Sequence, residues 1–475
     1  METKRVPIKA VLYQYGVGLI VGIGGMAAGG WLAWAAVAIG PLVRGEYCCN
    51  VTRSEISTMV SLMDFGNILS PIPAAYCMDI FGRKPTLYST AFMYIFASVA
   101  VIAANNVWYL YAARLSVGMA KGVAFAVVPI YLAEIASPQI RGALSAMFIG
   151  LLNIGLVYDY VLDIFLSFTG VNIANAILPV LFGIFFYFVP ESPYYLAMKE
   201  KEKRTIKSLS KYRQVKKDNE ALLMEANFVT ETVATDMEQK GRFIDLVTTA
   251  SMRRAMLIIT ALSLLQRSCG LSPTVAYSMV TLPETGGGFS RATYMVIYSS
   301  VSVVANYLPS ALVETWGRKK LLMASAASCS AVQGIAGLFY YFRTHHYDVS
   351  SWLWVPYACL VAVSFTYSIG IGFVPSTLVG ELFPTNIKCH AGSISAIFLA
   401  TTSFVLNRIF LEVSDRWGVE WMYFYFATSG AVCVIFSHFY VFETKGKTFM
   451  EIQNILKRET GEYVKEDEIK TETGK

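Results

Sequence analysis

The chain has 475 residues, of which 55% are hydrophobic, 14% are aromatic and only 15% are charged. Roughly a quarter of the residues of a soluble domain carry a charge, so this composition excludes an ordinary soluble protein. The formal net charge of +6 does not indicate a nucleic-acid partner. The basic residues cluster in short segments between apolar blocks, as the positive-inside rule of membrane proteins predicts.

The apolar residues form about twelve blocks, each long enough to cross a membrane as a helix. Their approximate limits are 11–40, 56–79, 86–105, 108–132, 142–168, 172–189, 254–280, 290–313, 319–341, 352–379, 391–411 and 420–442. The first block is too long for the apolar core of a cleaved signal peptide, and its pairs Gly18/Gly22 and Gly25/Gly29 are spaced for close helix packing. The sequence therefore predicts an all-α polytopic membrane protein.

The charges of the connecting segments predict the topology. An even number of spans places both termini on one side, together with Arg83, Arg318 and the Lys-rich segment 191–253, and the positive-inside rule makes that side cytosolic. We expect an N-terminal six-helix half (1–190), a cytosolic linker with short amphipathic helices (191–253), a C-terminal six-helix half (254–442) and a cytosolic tail (443–475). On the outer side, Asn50-Val51-Thr52 is an N-glycosylation acceptor sequence.

An internal repeat indicates that the two halves are related. Each half has an acidic residue before a Gly-Arg-Lys sequence, an acidic and a basic residue seven positions apart, and Glu followed by Ser or Thr after its last span. These residues are Asp79, Arg83, Lys84, Glu134, Arg141 and Glu191 in the first half, and Glu314, Arg318, Lys319, Glu381, Lys388 and Glu443 in the second. Because ion pairs at a half-shielded interface bias a two-state equilibrium, we predict that the twelve form a cytosolic gate. The alternative is that the basic residues are topology signals alone.

The same motifs resemble those of the sugar porter family of the major facilitator superfamily. The segments that carry the resemblance are Asp79–Lys84, Arg114, Tyr131–Glu134 with Arg141-Gly142, Pro190–Pro193 and Phe442–Gly446. Glu381–Lys388 and Phe442–Ile452 resemble insect facilitative trehalose-type transporters, although Tyr194 and Phe442 stand where the family has Arg and Pro. The resemblance implies a plasma-membrane carrier of a small molecule that alternates between outward-open and inward-open states. We expect no cofactor and no metal.

The substrate site that the resemblance implies is altered. A desolvated sugar needs several amide and hydroxyl partners. The family motif Gln-Gln-Leu-Ser-Gly-Ile-Asn of span seven aligns with residues 266–272, where its first Gln and its Gly are kept as Gln266 and Gly270, its second Gln is Arg267 and its Asn is Ser272. Ile149 replaces a Gln of span five, Ser302 an Asn of span eight, and Ala400 a Trp of span eleven. The candidate substrate-binding residues that remain are Gln266, Arg267, Ser272, Asn153, Asn306 and Ser376, the last at the position of a family Trp.

Two positive charges lie well inside predicted spans, Arg267 and Lys121. A charge at that depth is costly and points to function by default, so both are candidates to bind an anionic substrate such as a carboxylate or a sugar acid. The alternative is that they pair with acids in other spans, which are Asp64, Asp159 and Asp163.

The predicted function is transport of a small solute, a sugar, by alternating-access facilitated diffusion. Proton coupling in the family implies a carboxylate in span one or four. Span one has none, and Glu134 of span four is assigned to the gate. Two alternatives stay open, a carrier of a small organic anion that uses Arg267 and a non-transporting sensor-like relative. An enzyme is not expected, because the four histidines are scattered without Cys or Asp at ligand spacing. The oligomeric state is left open.

Overall fold

The computed structural model describes residues 7–47, 49, 51–238, 242–283 and 288–462, and over these residues the chain is built of helices without strands. It divides into two compact units, Met1–Gln239 and Lys240–Lys475. The division falls within the predicted linker 191–253. Asn50, the predicted glycosylation acceptor, and the end of the chain after residue 462 lie outside the described residues.

The first unit contains ten helices among its described residues. They are α1 (Ile8–Val43), α2 (Arg53–Leu69), α3 (Pro71–Ile80), α4 (Arg83–Ile102), α5 (Val107–Ile135), α6 (Arg141–Phe165), α7 (Phe168–Tyr187), α8 (Pro193–Met198), α9 (Glu202–Arg213) and α10 (Glu220–Glu238).

The second unit adds a 3₁₀ helix, Ser350–Trp352, between two of its α-helices. Its described α-helices are α11 (Asp245–Thr248), α12 (Ala250–Ser268), α13 (Leu271–Ala276), α14 (Ser278–Thr281), α15 (Arg291–Ala305), α16 (Leu308–Trp316), α17 (Arg318–Thr344), α18 (Val355–Ile369), α19 (Val374–Leu382), α20 (Thr385–Trp417), α21 (Val419–Tyr440) and α22 (Phe449–Thr460).

Ten helical segments of the described chain are long and apolar enough to cross a membrane. The other two predicted blocks, 56–79 and 290–313, are each divided between two shorter helices, α2 with α3 and α15 with α16. Pro71 and Pro309 lie in the first turns of α3 and α16. Proline is tolerated there because its missing N–H has no intrahelical acceptor in a first turn, whereas it would break a continuous helix. The prediction of an all-α polytopic membrane protein is confirmed.

The glycines of α1 allow α6 to pack closely against it. A Cβ atom built on Gly29 would lie 1.9 Å from the backbone oxygen of Leu152, and one on Gly155 would lie 2.1 Å from that of Met26. No larger residue fits at either position without moving a backbone. The small-residue contact expected from the glycine spacing of the first span is therefore present.

Short helices cover one end of each unit. In the first unit, Gln14 of α1 donates to the backbone oxygen of Tyr212 at 3.0 Å and so holds α9 against α1. In the second unit, α22 packs on α12 and α19. Helix α22 lies in the predicted tail 443–475, for which the sequence analysis named no secondary structure. Its first turn is closed by a capping box between Thr448 and Glu451.

Candidate functional site

In the first unit, Arg83 at the start of α4 binds Glu134 near the end of α5. Its Nε and Nη2 atoms lie 3.0 to 3.1 Å from the Glu134 carboxylate, and its Nη1 donates to the backbone oxygen of Met78 at 3.2 Å. The hydroxyl of Ser192 donates to the second oxygen of Glu134, and Asp79 lies 3.6 Å from Arg83 Nη1. Ion pair and hydroxyl together form a closed polar cluster.

Glu191 completes this cluster by binding backbone rather than side chains. Its carboxylate accepts the N–H groups of Lys84 at 3.0 Å and Ser192 at 2.8 Å. A Cβ on Gly82, whose φ is +111°, would lie 2.3 Å from Glu191 Oε2, so a side chain at this position has no room. Burial raises the pKa of Glu191, and the two backbone N–H donors act in the opposite direction.

The second unit contains an equivalent cluster. Arg318 at the start of α17 binds Glu381 of α19, with Nε at 3.0 Å and Nη2 at 2.7 Å from the same carboxylate oxygen. The hydroxyl of Thr444 donates to the other oxygen of Glu381 at 2.6 Å. Glu443 accepts the backbone N–H groups of Arg318 at 2.8 Å and Lys319 at 3.1 Å.

The correspondence extends to contacts that the sequence did not predict. Each arginine also donates to the backbone oxygen five residues before it. The side chains of Lys84 and Lys319 donate to backbone oxygens near the ends of α7 and α21, at 2.7 and 2.6 Å. Ser192 and Thr444 were not among the predicted site residues, although each follows the repeated glutamate. The unusual Tyr194 and Phe442 leave both clusters intact.

Three of the twelve predicted gate residues do not join the clusters. Arg141, Glu314 and Lys388 are exposed, and the described part of the chain gives none of them an ion-pair partner. Asp79 belongs to the first cluster only in part, because it lies beside Arg83 while its own side chain is partly exposed. The ion pairs of the clusters each join helices of a single unit.

Three candidate substrate residues of the second unit, Gln266, Arg267 and Ser272, lie on either side of a break in span seven. The break separates α12 from α13 at Gly270, whose φ is +84°. A Cβ there would lie 2.2 Å from the Phe426 ring, so glycine is required both for its backbone conformation and for space. Gln333 donates to the backbone oxygen of Cys269 at 3.0 Å and stabilises the broken end of α12.

Gln266 and Arg267 occupy the last turn of α12, immediately before this break. Gln266 is buried, and its amide donates to the backbone oxygen of Gly372 over a long 3.4 Å. Its side chain also interacts with Tyr367. Gln266 therefore faces the connection between α18 and α19, within its own unit.

Arg267 has no hydrogen-bond or ion-pair partner among the described residues, and its Nε atom is buried. Its position at the C-terminal end of α12 favours a cation, but that effect is worth only about 0.3–1 kcal/mol near a helix terminus. Arg267 as a whole is partly buried, and removing part of an ion's hydration is unfavourable. The helix end offsets part of that cost.

Ser272 is engaged in packing. Its hydroxyl accepts hydrogen bonds from Ser403 Oγ at 2.9 Å and from Asn407 Nδ2 at 3.0 Å, which holds α13 against α20. Asn407 is almost fully buried and was not found by the sequence analysis, because the family motif gives no signal at that position.

Three further candidates bond within their own helices. The side-chain amides of Asn153 and Asn306 each donate to the backbone oxygen four residues earlier, at 2.9 and 2.7 Å. Ser376 is exposed and donates to the backbone oxygen three residues earlier at 2.7 Å. An amide has two N–H groups, so Asn153 and Asn306 each keep one for another partner.

Lys121 differs from Arg267. It is buried on α5, which packs against α2, where Asp64 is also buried. Both side chains already have interacting partners. Of the two cations that the sequence placed inside spans, Arg267 is therefore the one without a hydrogen-bond or ion-pair partner among the described residues.

Comparison of the sequence with known proteins finds transporters, both as a family and as individual relatives. The profile of a family described as "Sugar (and other) transporter" matches residues 23–456. The chain is 27% identical over 406 residues to the facilitated trehalose transporter Tret1 of Polypedilum vanderplanki, covering 85% of this chain and 80% of that protein. It is 26% identical over 436 residues to Tret1 of Drosophila pseudoobscura pseudoobscura, covering 92% of this chain but only half of that protein.

Solved structures of similar fold include two of the xylose transporter XylE. An inward-open conformation of XylE from E. coli has a TM-score of 0.74 at 19% identity and covers 93% of this chain and 99% of that one. The proton:xylose symporter XylE bound to 6-bromo-6-deoxy-D-glucose has a TM-score of 0.70 at 20% identity, with coverage of 94% and 99%. At these identities the likeness concerns the fold, which is that of the major facilitators.

Proposed function

Because the chain belongs to the sugar (and other) transporter family, we propose that it carries a sugar across the membrane by facilitated diffusion between two alternating states. The resemblance to sugar porters is confirmed. The protein is a multi-pass membrane protein whose relatives are transporters rather than enzymes. The observation that supports the proposal most directly is the duplicated cluster, which repeats one arrangement of Arg, Glu and hydroxyl in both units.

Each cluster joins the same parts of its unit. In the first unit it joins the start of α4, the end of α5 and the segment after α7, and in the second it joins the start of α17, the end of α19 and the segment after α21. Major facilitators work by rocking one helical repeat against another, which requires each repeat to move as a body. We infer that the clusters give each repeat that rigidity at its cytosolic end.

The gate predicted from the sequence is part of this proposal. We assign the holding role to the paired residues, with Arg83 and Arg318 at their centres. The exposed Arg141, Glu314 and Lys388 are the members free to exchange partners during the cycle. The twelve residues thus divide into those that keep their partners during the transport cycle and those that exchange them.

The proposed substrate is a sugar of the hexose, pentose or disaccharide class. The relatives named as trehalose and xylose transporters support this class, as does Gln266, which is the one amide kept from the family motif of span seven. Uniport is proposed because α1 contains no Asp or Glu. A plasma-membrane location, cytosolic termini and glycosylation at Asn50 are further proposals that follow from the predicted topology.

The test is uptake by purified protein in liposomes, with glucose, xylose and trehalose as labelled substrates. We expect saturable uptake that is accelerated by unlabelled sugar on the opposite side and is not driven uphill by an imposed pH gradient. Accumulation driven by protons would replace uniport with symport. Absence of uptake of any substrate, by protein that elutes as a single folded species, would contradict the transport function itself.

A further inference from the structure

We propose that Arg267 selects a sugar that carries a carboxylate, such as a uronic or aldonic acid, over the neutral sugar of the same size. This inference rests on the proposed function and concerns the substrate class of that site. It starts from a contrast within α12, where two neighbouring side chains have different surroundings. Gln266 is hydrogen-bonded inside its unit, whereas Arg267 has no partner among the described residues.

The surroundings of Arg267 favour a ligand that is partly neutral and partly charged. Tyr298 and Tyr367 lie within electrostatic range of its guanidinium, and their side chains interact with Ser302 and Gln266 respectively. Hydroxyl and amide groups of this kind are hydrogen-bonding partners for sugar hydroxyls. None of them supplies a negative charge that could pair with the partly buried guanidinium.

The charge and shape of the arginine limit the acidic group. A guanidinium binds a carboxylate through two parallel hydrogen bonds, and its single positive charge neutralises one carboxylate. A sugar phosphate carries close to two negative charges at neutral pH and would need a second cation. Arg267 is the one cation among the described groups that act most strongly on Tyr298 and Tyr367, so the carboxylate is the better match.

The contacts at the break after Arg267 hold the end of α12, which carries this charge. Gly270 and Gln333 hold the end of α12, as described above, and Arg267 lies three residues before the glycine. The planar guanidinium presents its N–H groups as a preorganised fork, which favours recognition of a planar carboxylate. The proposal therefore requires no rearrangement of the helix.

The test compares labelled glucose with labelled glucuronate in liposomes containing the wild-type protein, Arg267→Gln or Arg267→Lys. Glutamine is the residue that the family has at this position. We expect the wild type to show a KM for glucuronate roughly 10- to 100-fold below its KM for glucose, as one charge-assisted hydrogen-bonding group contributes in other proteins. Arg267→Gln should remove this preference and keep or improve glucose uptake, and Arg267→Lys should retain part of it.

Membrane potential gives an independent readout. One negative charge crosses with each glucuronate, so a potential that is positive inside should accelerate its uptake and leave glucose uptake unchanged. Arg253→Gln is the matched control, since it makes the same change at the exposed opposite end of α12, and it should behave as the wild type.

The outcomes separate this inference from the proposed function. Equal KM values for glucose and glucuronate in the wild type, or a preference that survives Arg267→Gln, would overturn the inference and leave sugar transport in place. Absence of uptake of either compound by all folded variants would overturn both.

Discussion

Arg83 and Glu134 are 51 residues apart in the sequence, yet they join α4 to α5 through three hydrogen bonds of 3.0 to 3.1 Å. Arg318 and Glu381 make the equivalent contact in the second unit. The first pair is the more buried, with side chains 10% and 13% exposed against 18% and 21%. Two copies of one contact at different depths allow the cost of breaking it to be measured within a single protein.

Glu134→Ala should destabilise the protein more than Glu381→Ala. Removing Glu134 leaves the buried Arg83 with the more distant and partly exposed Asp79 as its acidic partner, at a cost of up to about 3–5 kcal/mol. Solvent reduces the cost where the pair is more exposed. The measurement is the midpoint of thermal unfolding in detergent for each variant. Glu412→Ala is the control, because its pair with Arg416 is largely exposed and should contribute little. Equal shifts for all three variants would contradict the burial argument.

Gly82→Ala and Gly317→Ala should both impair folding and transport. Their φ angles are +111° and +85°, and a Cβ would lie 2.3 and 2.5 Å from the carboxylates of Glu191 and Glu443. The methyl group would displace the carboxylate from the backbone N–H groups that it accepts. The measurement is the yield of monodisperse protein together with initial uptake rate.

Gly142→Ala is the matched control for these glycines. It lies in the first turn of α6 with no atom within 4 Å of a built Cβ, and alanine favours a helix by roughly 0.8–1 kcal/mol over glycine in an interior position. We expect it to be neutral or slightly stabilising. Normal yield and uptake in Gly82→Ala would show that the loop adapts and that the cluster is less rigid than proposed.

The repeat was the part of the site that the sequence could predict. The motifs recur in the second half at similar spacing, with counterparts of Asp79, Arg83 and Glu134. They therefore predict which residue types form each cluster and in which half each residue lies. Their pairing does not follow, because a motif gives no distance between spans that are far apart in sequence. The motifs also could not predict that Arg141 and Lys388 are exposed, because they give no information on which residues face each other.

The hydroxyl residues that complete the clusters could have been predicted from the sequence. Each of the two repeated glutamates is followed by a hydroxyl residue, Ser192 or Thr444. Its hydroxyl donates a hydrogen bond to Glu134 or Glu381 respectively. Helix α22 was also visible, since Thr448-x-x-Glu451 followed by apolar residues is a capping-box sequence. Asn407 could not be found, because its role depends on where α13 meets α20 in three dimensions.

The stability contributed by Glu191 should change with pH. Burial raises the pKa of this carboxyl, so the folded state binds its proton more tightly than the unfolded state does. Its contribution is therefore most favourable below the unfolded pKa of about 4.3 and is lost as the pH rises through the higher folded value. We expect the wild type to gain stability relative to Glu191→Gln as the pH falls from 7.5 to 5. The measurement is thermal unfolding of both proteins across that range. A difference between them that stays constant would show that the two backbone hydrogen bonds cancel the effect of burial.

Asp159→Asn should stabilise the protein. Asp159 of α6 is fully buried and accepts one hydrogen bond, from Asn175 of α7 at 2.5 Å, while its other oxygen has no donor among the described residues. Asp163, the charged group that acts on it, has the same sign. An asparagine keeps the acceptor for Asn175 and removes an acidic group that lacks a described cation. The amide nitrogen of asparagine takes the place of the oxygen that has no donor, so any gain comes from removing the charge. Because a buried charge without a partner costs more than a buried neutral amide, we expect a gain of about 1–3 kcal/mol, measured by thermal unfolding in detergent.

The control for Asp159→Asn is Asn175→Asp, which makes the opposite change at the same contact. It places two carboxyl groups together and should lower stability. Sugar uptake adds a second readout, because facilitated diffusion needs no carboxyl group to change protonation at this position. Asp159→Asn should therefore transport at the wild-type rate. A folded and stable Asp159→Asn protein that has lost uptake would contradict this expectation and show that transport needs this carboxyl; dependence of wild-type uptake on a pH gradient would then identify a symporter.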